Sequence, residues 1–231
     1  MSRYTTLLFD ADMTLFDFEA AERSAFGIVM DSHGIQYDEA GFLRYKRINA
    51  QLWEEFGRGE ITKEYLQRER FGRFLATLMP VPNVGGEALN RAFLDALADC
   101  SELFCGALEL CRRLSAKYEL YIVTNGVSYT QKKRFYASPI REYFNDIFVS
   151  EDAGAQKPMA AYFDYVFAHI GEDKRTASVI IGDSLTSDIA GGIAAGIDTV
   201  WYNPKGHKND TDIIPTFEVG SYETLEAFIN S

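Results

Sequence analysis

Apolar and polar positions along the chain follow two rhythms. Short apolar runs bounded by polar residues recur at 4–9, 119–124, 147–149, 178–181 and 199–202, with a last short one at 217–219. Such runs predict strands buried on both faces. Between most of them, apolar residues return at the spacing of a helix, over 108–117, 128–136, 159–170, 185–195 and 222–229. Pro158 is placed at the first turn of the helix that begins near Met159, where its missing N–H costs nothing. The segment 185–195 carries Gly191, Gly192, Ala194 and Ala195, small enough to lie close on a sheet. Strand–helix–strand crossovers of one hand predict an α/β protein with a parallel, doubly wound sheet.

One block breaks the alternation. From 17 to 98 the pattern is helical throughout, with no convincing strand. Ala21, Ala25, Ile28 and Val29 mark one helix, and Gly34 stands past its end. Asp38 caps a second, which carries Phe42, Tyr45, Ile48, Leu52, Trp53 and Phe56. Thr62 begins a third with Leu66, Phe71 and Phe74, stopped by Pro80 and Pro82, and a fourth runs over 86–97. The predicted organisation is an α/β core of 1–16 and 99–231 around an inserted α-helical domain of 17–98. The aromatics of the insertion are read first as packing.

Composition narrows the possible partners. The 231 residues are 47% hydrophobic and 25% charged, ordinary for a soluble globular protein. A formal net charge of -11 argues against a nucleic-acid partner, which would need a basic patch. A small anionic substrate stays open, because local cations can outweigh the global charge. Cys100, Cys105 and Cys111 have no C-x-x-C spacing and read as reduced thiols. No apolar stretch reaches membrane-spanning length and no basic-then-apolar leader precedes the first strand. The expectation is a cytoplasmic protein without a membrane partner, as a monomer or a homodimer.

Candidate chemistry collects at the ends of the predicted strands. The first run ends in Asp10-Ala11-Asp12-Met13-Thr14. Two carboxylates one residue apart repel, and burying them unpaired is costly. A hard cation with oxygen ligands resolves this, with Mg2+ as the first candidate. Solvated acids capping the next turn are the plainer alternative. Thr124-Asn125-Gly126 ends the second run, Gln156-Lys157-Pro158 precedes a helix, and Gly182-Asp183-Ser184 ends the fourth run with Asp188 following. Each alone has a plain reading: Thr124 a cap, Lys157 a surface lysine, Asp188 a solvated acid. The basic run Lys132, Lys133 and Arg134 reads as a solvated helix face. His33, His169 and His207 lie outside every motif.

Taken in order, the four groups resemble the haloacid dehalogenase superfamily, whose pattern is D-x-D-x-T, then Ser/Thr after a strand, then Lys before a helix, then G-D with a further Asp. The match spans Leu7 to Asp188. Met13 departs from the Gly that many members carry there. The resemblance implies a helical cap for the insertion and a Mg2+-dependent phosphomonoester hydrolase, with Mn2+ as a possible substitute. It implies Asp10 as nucleophile and metal ligand, and Asp12 as acid and base whose backbone carbonyl also binds the metal. It further implies Thr124, Asn125 and Lys157 on the phosphoryl group, Asp183 as direct metal ligand and Asp188 as an outer-sphere one. Thr14 would orient the loop.

Finer likeness lies in Leu15-Phe16-Asp17-Phe18 with Ala20, Ala21 and Glu22, in Tyr45-Lys46-Arg47-Ile48-Asn49 with Leu52-Trp53, in Gly59-Glu60-Ile61-Thr62 with Arg70-Phe71, and in Thr124-Asn125-Gly126 with Gln131. These segments are similar to the bacterial noncanonical pyrimidine 5′-nucleotidases, which act on UMP, dUMP and dTMP. That likeness makes Phe16, Phe18 and Trp53 candidates for stacking on a base. The alternatives are a sugar-phosphate phosphatase or phosphosugar mutase, which keep both acids. A metal-free 2-haloacid dehalogenase or a phosphonate hydrolase lacks the acid at the Asp12 position. A receiver domain is shorter, and a silent binding module has no need of the whole set.

Overall fold

The computed structural model describes residues 3–231. It divides into two compact units, one of Met1–Phe18 with Ser101–Ser231 and one of Glu19–Cys100.

The first unit is built on a six-stranded parallel sheet. Its strands are β1 (Thr6–Phe9), β2 (Glu119–Thr124), β3 (Asp146–Val149), β4 (Ser178–Gly182), β5 (Asp198–Tyr202) and β6 (Phe217–Val219), in the order β3-β2-β1-β4-β5-β6. The chain steps outward from β1 to β3, then returns across β1 to β4. The switch point therefore lies beside β1, and ligands of doubly wound sheets bind outside the carboxyl ends there. Register is tight: Phe9 pairs with Ile122 on one side and Ile181 on the other.

Strand periodicity sorts the core into two layers. Leu7, Phe9, Ile122 and Ile181 face Leu110, Leu114, Phe135 and Leu225. Leu8, Val123 and Ile180 face Tyr162, Phe163, Val166 and Phe167. Burying each large apolar side chain contributes about 1.5–3 kcal/mol, and most of these are fully buried. Gly192 meets the sequence expectation of close approach: a Cβ there would lie 2.5 Å from Ile180 Cγ2 and Thr199 Cγ2.

Two predicted helices differ at their starts. The segment expected over 185–195 opens as a wide π-helical turn, Leu185–Ile189, before the α-helix Ala190–Ala195. Such bulges commonly mark functional positions. The helix expected from Met159 begins at Ala160: Met159 is its extended N-cap (φ -64°, ψ 130°), so Pro158 lies in the turn before the helix and not in its first turn.

The second unit holds four helices among the described residues: α1 (Phe18–Ser32, whose first residue belongs to the first unit), α2 (Glu39–Gly57), α3 (Lys63–Leu75) and α4 (Gly86–Ala98). Asp38 and Thr62 cap α2 and α3 by accepting from the N–H groups of Gly41 and Tyr65. The core is aromatic. Phe26 lies 4.7 Å from Tyr45, and Tyr45 stacks on Phe71 at 4.9 Å. Tyr45 and Phe71 are fully buried, so packing is their role, while Trp53 is half-buried against Phe56.

Polar groups interrupt this core. Asn49 Nδ2 donates to Glu22 Oε1 at 2.7 Å, and Arg70 Nε donates to Asn90 Oδ1 at 2.6 Å. Burial pushes the Glu22 carboxyl up; Asn49, Lys46 and Arg70 pull it down without cancelling that. A carboxyl held above its unfolded value stabilises the fold fully below that value, near 4.5, and loses the contribution as pH rises through the folded value. Glu22→Gln keeps an acceptor for Asn49 and removes the charge. Its stability advantage over wild type, read by urea unfolding, is expected to grow as pH rises above 4.5. A flat or shrinking difference overturns this.

Candidate active site

The residues that carry the sequence motifs meet at the carboxyl ends of β1, β2 and β4. Asp10 follows β1 directly, and its N–H donates to Ile181 O at 2.8 Å. The loop behind it is closed by Leu15 and Phe16, whose N–H groups both donate to Ala11 O at 2.9 Å. This tight loop puts Met13 at φ 62°. The left-handed region costs an ordinary residue roughly 1–2 kcal/mol, a physical reason for the glycine common at this position. Thr14 is buried and its carbonyl accepts from Tyr222 Oη at 2.7 Å.

Lys157 stands at the centre. Its side chain is 1% exposed, and Nζ donates to Asp10 Oδ1 at 2.6 Å, Asp188 Oδ1 at 2.6 Å and Val123 O at 2.7 Å. All three ammonium donors are thereby used. Burial acts to lower the ammonium; the Asp10 and Asp188 charges outweigh it and hold it well above its usual value. Lys157 is thus not a surface lysine. Asp188, on the π-helical turn, is also buried, and its Oδ2 accepts from Ser184 N at 3.1 Å.

The acids themselves are out of balance. Asp10, Asp183 and Asp188 each offer an oxygen within 4.8 Å of the others. Burial drives Asp10 well above the usual carboxylate range despite Lys157, and Asp188 and Asp183 push the same way. Burial, then Asp188, raises Asp183 to about 7. Three carboxylates around one ammonium leave negative charge uncompensated in a buried place. A hard divalent cation removes that cost, and this oxygen-only donor set fits one.

Thr124 is 2% exposed; its hydroxyl accepts from Gly126 N at 3.1 Å and Gln131 Nε2 at 3.2 Å. Both acceptor sites are filled, which leaves its own proton to donate. The Asn125 side chain reaches Lys157. Its Nδ2 donates to Lys157 O at 2.9 Å and Ser187 Oγ at 3.3 Å, and its Oδ1 accepts from Lys157 N at 2.9 Å. The amide thereby orders the backbone that carries that lysine.

Asp12 carries two partners that the sequence motifs do not contain. Oδ1 accepts from Arg134 Nη1 at 2.5 Å, and Oδ2 accepts from Gln131 Nε2. The Arg134 side chain is 0% exposed, so the reading of 132–134 as one solvated face is wrong for it. Helix α5 (Ser128–Ala137) turns Gln131, Arg134 and Phe135 inward and Lys133 outward. The spacing of Gln131 and Arg134, three apart on one face, was the available signal. Phe16 is likewise reassigned. It is 1% exposed and lies under the Arg134 guanidinium at 4.8 Å, so it cannot stack on a base.

A cleft of about 380 Å³ opens beside Asp183. Met13, Phe104 and Tyr202 give it apolar walls, with Lys205 and His207 at its edge. Trp201 Nε1 donates to Asp183 O at 2.8 Å and fixes the backbone there.

Known proteins share this arrangement of sequence and fold. The family model for haloacid dehalogenase-like hydrolases matches residues 7–202. The HAD-hydrolase YfnB of Bacillus subtilis is 42% identical over 230 residues, covering 100% of this chain and 97% of that protein. Its crystal structure, described as bound to magnesium, matches with a TM-score of 0.93 over 99% of this chain and 100% of that one. The pyrimidine 5′-nucleotidase PynA of Streptococcus pneumoniae is 37% identical, over 96% of this chain and 93% of its own length. The pyrimidine 5′-nucleotidase YjjG of Escherichia coli is 32% identical, over 98% of both. On the family match and the full-length likeness to YfnB, the chain belongs to the haloacid dehalogenase-like hydrolases.

Proposed function

We propose that this hydrolase cleaves phosphomonoesters through an aspartyl-phosphate on Asp10, and that its substrates are pyrimidine nucleoside 5′-monophosphates such as UMP, dUMP and dTMP. The observation that carries the chemistry is the buried Lys157 ammonium shared by Asp10 and Asp188 beside a third acid, Asp183. A phosphoryl dianion needs charge neutralisation and positioning more than covalent help. Lys157 supplies one fixed positive charge next to the nucleophile. The Thr124 hydroxyl supplies a donor for a phosphoryl oxygen. Asp10, Asp183 and the Asp12 backbone would hold Mg2+, with Asp188 supporting them from behind, and the bound cation would neutralise the remaining charge.

The reaction then divides in two. An Asp10 oxygen bonds to phosphorus while the ester P–O bond breaks, and Asp12 gives its proton to the departing oxygen. Water next bonds to phosphorus and yields its proton to Asp12, while the bond to Asp10 breaks and phosphate leaves. Asp12 distinguishes this route from the dehalogenase one, which has no leaving alkoxide to protonate.

The nucleotide assignment rests on PynA and YjjG, both named as pyrimidine 5′-nucleotidases and alike over nearly the full length. The cleft beside Asp183 supports it, since Phe104 and Tyr202 offer apolar walls to a flat ring. Stacking a base on an aromatic is worth about 1–3 kcal/mol. The test is kcat/KM for UMP, dUMP and dTMP beside glucose 6-phosphate, β-glucose 1-phosphate and glycerol phosphate. The nucleotides are expected to lead. A sugar phosphate ahead by more than about tenfold, roughly 1.4 kcal/mol in transition-state binding, replaces the nucleotidase with a sugar phosphatase and leaves the chemistry at Asp10 intact.

A further inference from the structure

We infer that Arg134 and Gln131 are positioning residues for the proton-transferring acid, holding the Asp12 carboxylate by both oxygens and tying it to the phosphate-binding Thr124. This rests on the reading of Asp12 as acid and base given above.

The Asp12 side chain is partly exposed, at 25%, whereas Arg134 beneath it is 0% exposed. Lone surface carboxylates swing between rotamers, and a proton donor that swings is rarely in place. Here each oxygen has its own donor, Arg134 Nη1 on Oδ1 and Gln131 Nε2 on Oδ2. The donors are themselves held. The guanidinium carbon lies 4.8 Å from the centre of the Phe16 ring, which packs in the core. Arg134 Nη1 also reaches Gln131 Oε1 at 3.4 Å, so the two clamp residues brace each other. The same Gln131 Nε2 donates to Thr124 Oγ1. One amide therefore fixes the separation between the acid and the hydroxyl offered to the phosphoryl group.

Gly126 makes room for this amide. A Cβ there would lie 2.2 Å from Gln131 Nε2. The glycine after Thr124-Asn125 thus serves the clamp, since any side chain would push Gln131 off Asp12. An always-charged, buried arginine costs several kcal/mol of desolvation and is tolerated only where it is paired. Its pairing here is with the acid that has to be aimed.

A clamp predicts a particular kinetic pattern. Alkoxide leaving groups need a proton from Asp12, whereas p-nitrophenolate leaves without one. The probes are UMP and p-nitrophenyl phosphate, on Arg134→Gln, Arg134→Lys and Gln131→Met, with Asp12→Asn as comparator. Arg134→Gln and Gln131→Met are expected to lower kcat for UMP about tenfold to hundredfold, the lower end of what a positioned proton donor supplies, with KM changed less than about threefold. The burst of p-nitrophenolate in the first turnover should keep nearly its wild-type rate, and a hydroxylamine-labile phosphoenzyme should accumulate. Arg134→Lys keeps the charge without the flat fork and should fall between. In the Asp12→Asn background, Arg134→Gln should cost almost nothing further.

Equal losses for the UMP and p-nitrophenyl first turnovers, or full additivity with Asp12→Asn, overturn the clamp and leave the aspartyl-phosphate reading standing. A wild-type enzyme that forms no phosphoenzyme overturns both. If Arg134→Gln does not fold, Gln131→Met and Arg134→Lys carry the same comparison, with circular dichroism and thermal melting as the folding control.

Discussion

Replacing Asp10 with Asn is expected to lower kcat at least about a thousandfold. The substitution keeps the size and one oxygen acceptor for Lys157, so the hydrogen bond at 2.6 Å has a successor. What disappears is the negative oxygen that would bond to phosphorus. Two neighbouring acids are already committed: Asp188 is engaged by Lys157 and by Ser184 N, and Asp12 by Arg134 and Gln131. The loss should therefore fall on kcat rather than on folding. Burying one charge fewer among Asp183 and Asp188 relieves repulsion, so thermal stability without metal should hold or rise. The check is phosphate release in a preparation shown by mass spectrometry to be free of deamidated Asp10→Asn. A rate near wild type would sink the nucleophile assignment.

Chelation is expected to have an effect of similar size. One ammonium cannot balance Asp10, Asp183 and Asp188, and the dianionic substrate adds further negative charge at the same place. EDTA should abolish turnover, Mg2+ should restore it and Mn2+ should substitute. Binding should also be visible without activity. A ligand that binds only the folded state at about a hundred times its dissociation constant adds roughly 2.7 kcal/mol. Mg2+ should therefore raise the melting temperature of wild type and raise that of Asp183→Asn much less. Full activity after exhaustive chelation would point to metal-free chemistry.

The strands and the acids and lysine of the candidate site were readable because their signals are local. The apolar run 4–9 contains β1, and 119–124 coincides with β2. Asp38 and Thr62 announced their helices because a cap is a matter of one side chain and the next three residues. What escaped was tertiary. Arg134 looks in sequence like the third member of a basic cluster, and only the turn of α5 separates its buried face from the outward Lys133. Asn125 stands in a phosphate-binding motif, but its amide answers to Lys157, distant in sequence and adjacent in space. Phe16 beside the acidic loop suggested a stacking surface until its ring proved to be the floor under a guanidinium.

The central place of β1 has a consequence for how the protein is made. Thr6 pairs with Glu119 and with Ser178, so the strand that leads into Asp10 leaves the ribosome long before either of its neighbours. The helical unit, continuous from Glu19 to Cys100, is complete in between. It can close its own core while β1 is still without a sheet. Bringing such distant strands together carries a large loop-closure cost, which slows folding of high-contact-order units. The acids of the site thus remain apart, and solvated, until β4 is synthesised. The charge cluster waits for β4 to join β1, and β5 and β6 extend the sheet only afterwards.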